Sequence, residues 1–420
     1  DREEIRSWTP SLALLATWVP FGLAITFFRV YRDLYAEQMP PMPMLLGLLA
    51  GFGVLAVAIF FLGPRLLRTP LGTIFRPLPA LGILAVVVIG GAIASRALIP
   101  PGPAPEAPGT PSAALVSRPN LILIMVDTLR ADHLSCYGEN AAVPTPNLCR
   151  LAADGGSIFD GFAHASWTKP SAATLMTSLL PSSHGVMSKP SALSDDVTLI
   201  AEVLSEHGYA TGGIASNTNL VPSFGFDQGY DEYLYLAPDY LAGARESSSK
   251  LILYQIGRRV WFRVKPGLRV GDFYQPATVV NAAAFDFLER HRSARFFLFL
   301  HYMDPHDPYF EHPWNGRGID RATNQEPDPA QAEAMRALYR GEIVYLDRQI
   351  GTLLTKLEEL GLYDDSVIAL VSDHGEEFHE HGGWWHGMTL YEEQMRVPIL
   401  VKWPKGNRRA PENSRGYVVG

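Results

Sequence analysis

Cysteine is almost absent: Cys136 and Cys149 are the two present among 420 residues, so at most one disulfide can form within the chain. Their spacing of thirteen leaves open whether they pair or remain buried thiols. Charge is also scarce, at 19% of residues, and unevenly withheld. No Asp, Glu, Lys or Arg occurs from Ser7 to Phe28, from Met39 to Pro64 or from Pro77 to Ser95. A helix needs roughly 20 apolar residues to cross a bilayer, so each gap is long enough. Three such runs favour membrane spans, at about 8–28, 42–63 and 77–98, over one cleaved signal peptide. Basic residues are missing where nucleic acid would need them. Residues 1–100 hold eight Lys and Arg against five acids, which leaves the remainder at a net charge of −11. An acidic soluble part argues against a nucleic-acid surface.

Acids are missing from the loop after the second span, which carries Arg65, Arg68 and Arg76. That asymmetry places the loop in the cytoplasm and everything after about residue 100 outside. The expectation is a multi-pass protein of the cell membrane with an extracytoplasmic domain. There is no initiator Met, and the chain stops soon after the strand-like "RVPILVKW". A piece of a longer protein is therefore expected, lacking an N-terminal span and part of its C-terminal end.

Residues 100–119, "PPGPAPEAPGTPSAALVSRP", have no apolar period and read as a tether. From 120 to 420 short apolar runs alternate with helical segments, the pattern of an α/β domain with a mostly parallel sheet flanked by helices. No internal repeat is present. Helices are expected at "TPNLCRLAADG", capped by Thr145 and closed by Gly155, at "LIAEVLSEHGYAT", and over the amphipathic residues 333–361, which should cover one face of the sheet. Residues 235–280 show no clear pattern and are read as an insertion or a lid.

Three apolar runs end in metal-type side chains. "LILIMVDT" ends at Asp127, "ARFFLFLHYMDPH" passes through His301 to Asp304 and His306, and "SVIALVSDHGEE" ends at Asp373 and His374. Ligands of open α/β sheets bind beyond the carboxyl ends of the strands, so these residues gather where a site belongs. A divalent metal that activates a nucleophile wants oxygen and nitrogen ligands with one position left for substrate. Asp127, Asp373 and His374 supply two carboxylates and an imidazole, and Gly375 allows a close backbone approach. In "SWTKPSAATLMT", Pro170 marks a helix start, where free N–H groups favour an anion. Thr168 is then either a helix cap or a metal-activated nucleophile, with Lys169 adding positive charge.

Seven segments in order, "LILIMVDTLRADHLSCYG", "TPNLCRLAADG", "TKPSAATLMTSLLPSSHGV", "HYMDPHDPY", "YLDRQIGTLLTKLEELG", "SDHGEEFHEHG" and "HGMTLYEEQMRVPILV", resemble the sulfatases of the alkaline phosphatase superfamily over residues 120–403. The resemblance implies an alkaline-phosphatase-like α/β sandwich. It assigns Asp127, Asp373 and His374 to the metal and Thr168 to the nucleophile, which also touches the metal. His306 and His386 fall where the family holds the substrate's oxyanion or protonates the leaving oxygen. Histidine suits both tasks near neutral pH.

Two departures qualify what the resemblance implies. Where formylglycine sulfatases have CxPSR, this chain has Thr168, Lys169, Pro170, Ser171 and Ala172, and Thr cannot become that aldehyde. Asp127 is followed by Thr128 where a second aspartate is frequent. The Asp, Thr, Asp, His set is similar to the membrane-anchored lipoteichoic acid synthases and phosphoethanolamine transferases. One divalent ion is expected, with imidazole ligation favouring Mn or Zn and leaving Ca or Mg open. His379 and His381 either bind a second ion or sit on a nearby loop without ligating. The expected function is cleavage or transfer of an anionic phosphate or sulfate ester, lipid or glycan, through Thr168. The alternatives are sulfate-ester hydrolysis without formylglycine and a non-catalytic module that binds an anionic glycan or headgroup.

Overall fold

Residues 41–67, 117–138, 143–241, 269–321, 324–406 and 417–419, with isolated positions between 19 and 27, at 115 and between 254 and 267, are described by the computed structural model. Two compact units form: residues 1–104 with 250–254, and the rest of the chain.

The first unit contains helix α1, Met42–Leu67, whose 26 residues correspond to about 39 Å of rise. Its segment Met42–Phe61 is long and apolar enough to cross a membrane. Met42, Leu46, Leu49, Val54, Val57 and Phe61 are all exposed along it. Among the described residues it is the one helix that meets this test. The span expected at 8–28 is described at a few positions, all helical, and that at 77–98 lies outside the described residues, as does most of the 100–119 tether.

The second unit is built on eight strands: β1 (Asn120–Val126), β2 (Ser157–Phe162), β3 (Ala210–Ala215), β4 (Glu232–Tyr235), β5 (Phe296–Tyr302), β6 (Ser366–Ser372), β7 (Arg396–Lys402) and β8 (Tyr417–Val419). They run in the order β8-β2-β7-β6-β1-β5-β3-β4. From β6 to β4 every pairing is parallel. Strand β7 is antiparallel to both of its neighbours, which the apolar pattern of "RVPILVKW" gives no means to foresee. All seven side chains of β5 are buried, as expected of a strand covered on both faces.

The two-residue alternation of β1 divides its side chains between two layers. Ile122, Ile124 and Val126 join a core built with α5 (Ala277–His291) and α6 (Ala332–Glu359). Met125 joins Phe297 and Phe299 of β5 in a core closed by Ala172, Ala173 and Met176 of α3 (Thr168–Thr177). Helix α6 buries Met335, Tyr339, Ile343, Leu346, Ile350, Leu353 and Leu357, a three-or-four spacing that makes one continuous stripe. The amphipathic segment therefore does cover a face of the sheet.

Helix α2 (Pro146–Ala153) is capped differently from the sequence expectation. Thr145 holds the N-cap position without capping through its side chain. Its hydroxyl instead accepts the Ser135 N–H at 2.9 Å. The free N–H groups of Asn147 and Leu148 donate to Asp347 Oδ1 from α6, at 3.0 and 2.8 Å. Helix α4 (Ile200–Glu206) ends before Gly208, at φ 86°, as its sequence indicates.

Cys136 and Cys149 are disulfide-bonded, with Cα atoms 5.6 Å apart, and tie the segment after β1 to α2. Closing so short a loop restricts the unfolded chain by about 3 kcal/mol. A Cys136→Ser/Cys149→Ser chain is expected to lose about 2–4 kcal/mol. Denaturant melts with and without reductant check this, since reductant should affect only the parent.

Candidate active site

Strand register assembles the site. Val126 of β1 is level with Ser372 of β6 and with Tyr302 of β5. The next residues, Asp127 and Asp373, therefore leave adjacent strand ends side by side. The Asp127 N–H donates to Tyr302 O at 2.9 Å, continuing the ladder one step beyond the strand. Ser372 secures the other turn, accepting the Leu129 N–H at 2.8 Å and donating to His374 O at 2.7 Å.

Ligand atoms of Asp127, Asp373 and His374 all lie within 4.8 Å of one another, and all three residues are buried. His374 Nε2 is 3.6 Å from Asp127 Oδ1 and 3.4 Å from Asp373 Oδ2. Neither of those carboxylate oxygens has a hydrogen-bond partner among the described residues. Asp373 Oδ1, by contrast, accepts the N–H groups of Thr128 and His374 at 3.2 and 2.9 Å. His374 Nδ1 faces Gly375 O at 2.9 Å, which fixes the proton there and leaves Nε2 as an acceptor. Two orphaned buried carboxylate oxygens converging with an unprotonated ring nitrogen fit a divalent cation.

The electrostatics agree with that donor set. Burial pushes the Asp127 carboxyl up, but His306, His301 and His374 outweigh it and hold the group well below the ordinary range. Asp373 is driven far upward by burial and by the charge of Asp127. Two carboxylates this close cannot both ionise without a counter-charge. Burial, then the neighbouring His386, lowers His374 to about 3, so it is neutral as a ligand must be.

Thr168 is the first residue of α3 and is not its cap: Trp167 holds that position. The Thr168 hydroxyl lies 3.4 Å from His374 Nε2 and 3.5 Å from Asp127 Oδ2. The structure thus brings Thr168 to the Asp127, Asp373 and His374 cluster.

Lys169 is turned to another task. Its ammonium donates to the carbonyls of Lys189 and Ser191 and lies over the Phe224 ring, 3.1 Å from the centroid. None of these partners belongs to the cluster, so the Lys169 ammonium, expected to add positive charge at the reacting centre, is placed against a loop instead. Burial lowers it to about 8.

His306 and His386 are brought together, with ring centroids 5.0 Å apart, and His386 lies 4.5 Å from the His374 ring. Their environments push them in opposite directions. Burial lowers His306, but Asp127, Asp307 and Glu376 overcome it, and the net shift is upward. Burial and His306 lower His386 to about 3. The His306 Nδ1 faces Asp307 O at 2.6 Å, and that of His386 faces Glu376 Oε1 at 3.0 Å. Glu376 also accepts from Tyr309 Oη at 2.6 Å. Both histidines are therefore oriented through Nδ1, leaving Nε2 for other work. His379 stacks on Trp384, and His381 stacks on Tyr391 and pairs with Glu393 at 2.5 Å. Among the described residues neither joins a metal-type group.

The close approach at Gly375 is confirmed and severe. A Cβ there would sit 2.1 Å from Glu393 O, which already accepts the Glu376 N–H at 2.8 Å. Gly375→Ala must displace the short helix Glu392–Met395 and with it the loop of His386. The expected cost is about 2–3 kcal/mol. A lower denaturation midpoint with an unchanged slope checks it.

Three residues of the site, Asn217, Glu376 and Arg130, escape the sequence reading, while His301 is legible there as a metal-type side chain of its strand without a stated target. Asn217 donates to Asp127 Oδ2 at 2.7 Å, and His301 Nε2 lies 3.4 Å from that oxygen. Glu376 and Arg130 form the support of His386: Arg130 Nη1 donates to Glu376 O at 3.0 Å and to Glu380 at 2.6 Å. The signal for Asn217 is its place just past β3, a further strand end on the same edge.

A mostly parallel α/β sheet carries, at the carboxyl ends of its strands, a two-carboxylate, one-histidine cluster that could hold a metal ion, with a hydroxyl at a helix N-terminus beside it. The family model described as Sulfatase matches residues 119–418, and the chain belongs to the sulfatase family, of the alkaline phosphatase-like superfamily. An arylsulfatase of Clostridium perfringens is 26% identical over 336 residues, covering 68% of each chain. Human arylsulfatase A is 26% identical over 322 residues, covering 69% of this chain and 60% of its own length. The protein spans about two thirds of such relatives. Among solved structures, the phosphonate monoester hydrolase of Agrobacterium radiobacter shares the fold, with a TM-score of 0.51 at 22% identity over 68% of each chain.

Proposed function

We propose that this chain is a membrane-anchored, extracytoplasmic sulfatase-family hydrolase that cleaves an anionic sulfate or phosphate ester with Thr168 as nucleophile. The observation that carries the proposal is the Thr168 hydroxyl, at the N-terminus of α3 and within 3.5 Å of Asp127 and His374. Asp127, Asp373, His374 and Thr168 would hold one divalent ion, Mn or Zn before Ca or Mg by donor type. Bound there, it supplies charge neutralisation and makes a hydroxyl easier to deprotonate.

The residues of the chain do the remaining work. Thr168 releases its hydroxyl proton to solvent and attacks sulfur or phosphorus while the bond to the leaving oxygen breaks. His306, the histidine raised by its carboxylate neighbours, hydrogen-bonds the anion and gives the leaving oxygen its proton. His386, kept neutral, uses its free Nε2 to take a proton from the water or acceptor hydroxyl that releases Thr168 from the covalent ester. First-turn N–H groups of α3 face the developing charge.

Relatives named as sulfatases, including an N-acetylglucosamine-6-O-sulfatase of Bacteroides thetaiotaomicron, support a sulfate ester, and a glycan as its carrier. Thr in place of the formylglycine Cys supports direct attack on a phosphodiester, with transfer to an acceptor, as the second reading. The exposed apolar helix Met42–Phe61 supports the anchor, and the Cys136–Cys149 bond supports an oxidising compartment. The test offers the purified chain, with Mn or Zn, aryl sulfate, phosphonate and phosphodiester substrates and weighs the intact protein. An adduct on Thr168 is expected, and because sulfate and phosphate add nearly the same mass, the substrate that leaves it decides between the two readings. Turnover with no adduct, undiminished in Thr168→Ala, would sink both.

A further inference from the structure

Asp127 is gripped on one oxygen and free on the other. Its Oδ2 accepts Asn217 Nδ2 at 2.7 Å, lies 3.4 Å from His301 Nε2 and 3.5 Å from the Thr168 hydroxyl, whereas Oδ1 has no hydrogen-bond partner among the described residues and faces His374 Nε2 at 3.6 Å. The Asn217 amide can point only one way. Its Oδ1 accepts the Asn219 N–H at 2.8 Å, so Nδ2 must be the atom that meets the carboxylate. His301 sits inside β5 with no exposed surface, and neither ring nitrogen has a hydrogen-bond partner among the described residues. An imidazole left unpaired in a core is costly, and apolar neighbours along "FFLFL" show that an apolar side chain suits this strand. The ring's polarity is spent on one target, the carboxylate beside it.

We propose that His301 and Asn217 together form a clamp on Asp127 Oδ2 that would leave Oδ1 as the oxygen this aspartate offers to a cation. Strands β3 and β5, which supply no metal ligand themselves, thereby act on the site through Asp127. With Oδ2 held by the Asn217 amide and faced by the His301 ring, Asp127 is restrained from swinging into two-oxygen ligation. Both are positioning residues. The inference rests on the metal reading of the proposed function.

Calorimetric titration of Mn(II) and Zn(II) into the metal-stripped full chain tests it, with melting temperatures of the stripped forms as the control for folding. His301→Leu and Asn217→Ser are each expected to weaken binding by about 10–100-fold. His301→Gln, which keeps a donor within reach, should stay within about threefold of the parent. Asn217→Ser retains an acceptor for the Asn219 N–H, so it carries the test alone should His301→Leu fail to fold. Parental affinity in both variants, combined with lost binding in Asp127→Ala, overturns the clamp and leaves the metal reading standing. Equal titration of the parent and Asp127→Ala overturns both.

Discussion

Thr168→Ala is expected to lower turnover by about 10⁴-fold or more while leaving the divalent ion bound. Asp127, Asp373 and His374 still present three donors in the variant, so metal affinity should change by less than about tenfold. The change also costs little stability, because the hydroxyl caps nothing and Trp167 holds the N-cap position regardless. Thr168→Ser should recover most of the lost rate, since it keeps the attacking oxygen and loses one methyl group. A purely structural Thr168 predicts the opposite order, with stability falling and turnover tracking the folded fraction. Steady-state rates read beside metal titrations separate the two, and retention of more than about 1% of turnover in the alanine variant excludes a nucleophilic role.

The parts of this site that the sequence reveals share one property: each is adjacent in the chain to the signal that exposes it. Asp127 and Asp373 end apolar runs, His374 and Gly375 sit beside Asp373, and Thr168 precedes a proline-marked helix start. Residues that work across the fold leave no such trace. Even His301, visible in the sequence as a metal-type side chain inside an apolar run, shows its target only when the register places it level with Met125, one turn of the pleat from Asp127. Asn217 follows "ATGGIA", whose two glycines weaken the strand pattern although they are required there. A Cβ on Gly212 would meet the Phe287 ring at 2.4 Å, and one on Gly213 would meet Tyr233 at 2.5 Å. Lys169 misleads in the other direction. Proximity in sequence to Thr168 suggests a charge at the site, but the next residue of a helix points about 100° away, and this one reaches a loop carbonyl.

Thr128 shows how local strain and global assembly meet. Its φ of 57° is unusual for a β-branched residue. The conformation is held by Tyr339 of α6, whose hydroxyl donates to Thr128 O at 2.7 Å, and by the Thr128 N–H on Asp373. The sharp turn aims Asp127 at Asp373 and then sends the chain away from the site. A helix more than two hundred residues distant thus fixes the exit of the first strand.

His306→Ala is expected to show a loss that depends on the leaving group. A residue that protonates the departing oxygen matters most when that oxygen is basic and least when it leaves as a stable anion. Alkyl esters should lose about 10²–10⁴-fold in kcat, and nitroaryl esters far less. A His306 that merely binds the anion predicts an equal loss for both, so the slope of log rate against leaving-group pKa decides the matter. The pH profile carries an independent check. Asp127, Asp307 and Glu376 overcome burial to raise His306 above the usual histidine value near 6.5, so its protonated form persists to higher pH than that of a free histidine and is lost as pH rises through the raised value. Activity should therefore decline on the alkaline side, and His306→Gln should remove that decline along with most of the rate. His386, lowered to about 3, stays neutral across the same range and contributes no alkaline limb. An alkaline limb that survives unchanged in His306→Gln would assign the proton to another group and remove His306 from the leaving-group step.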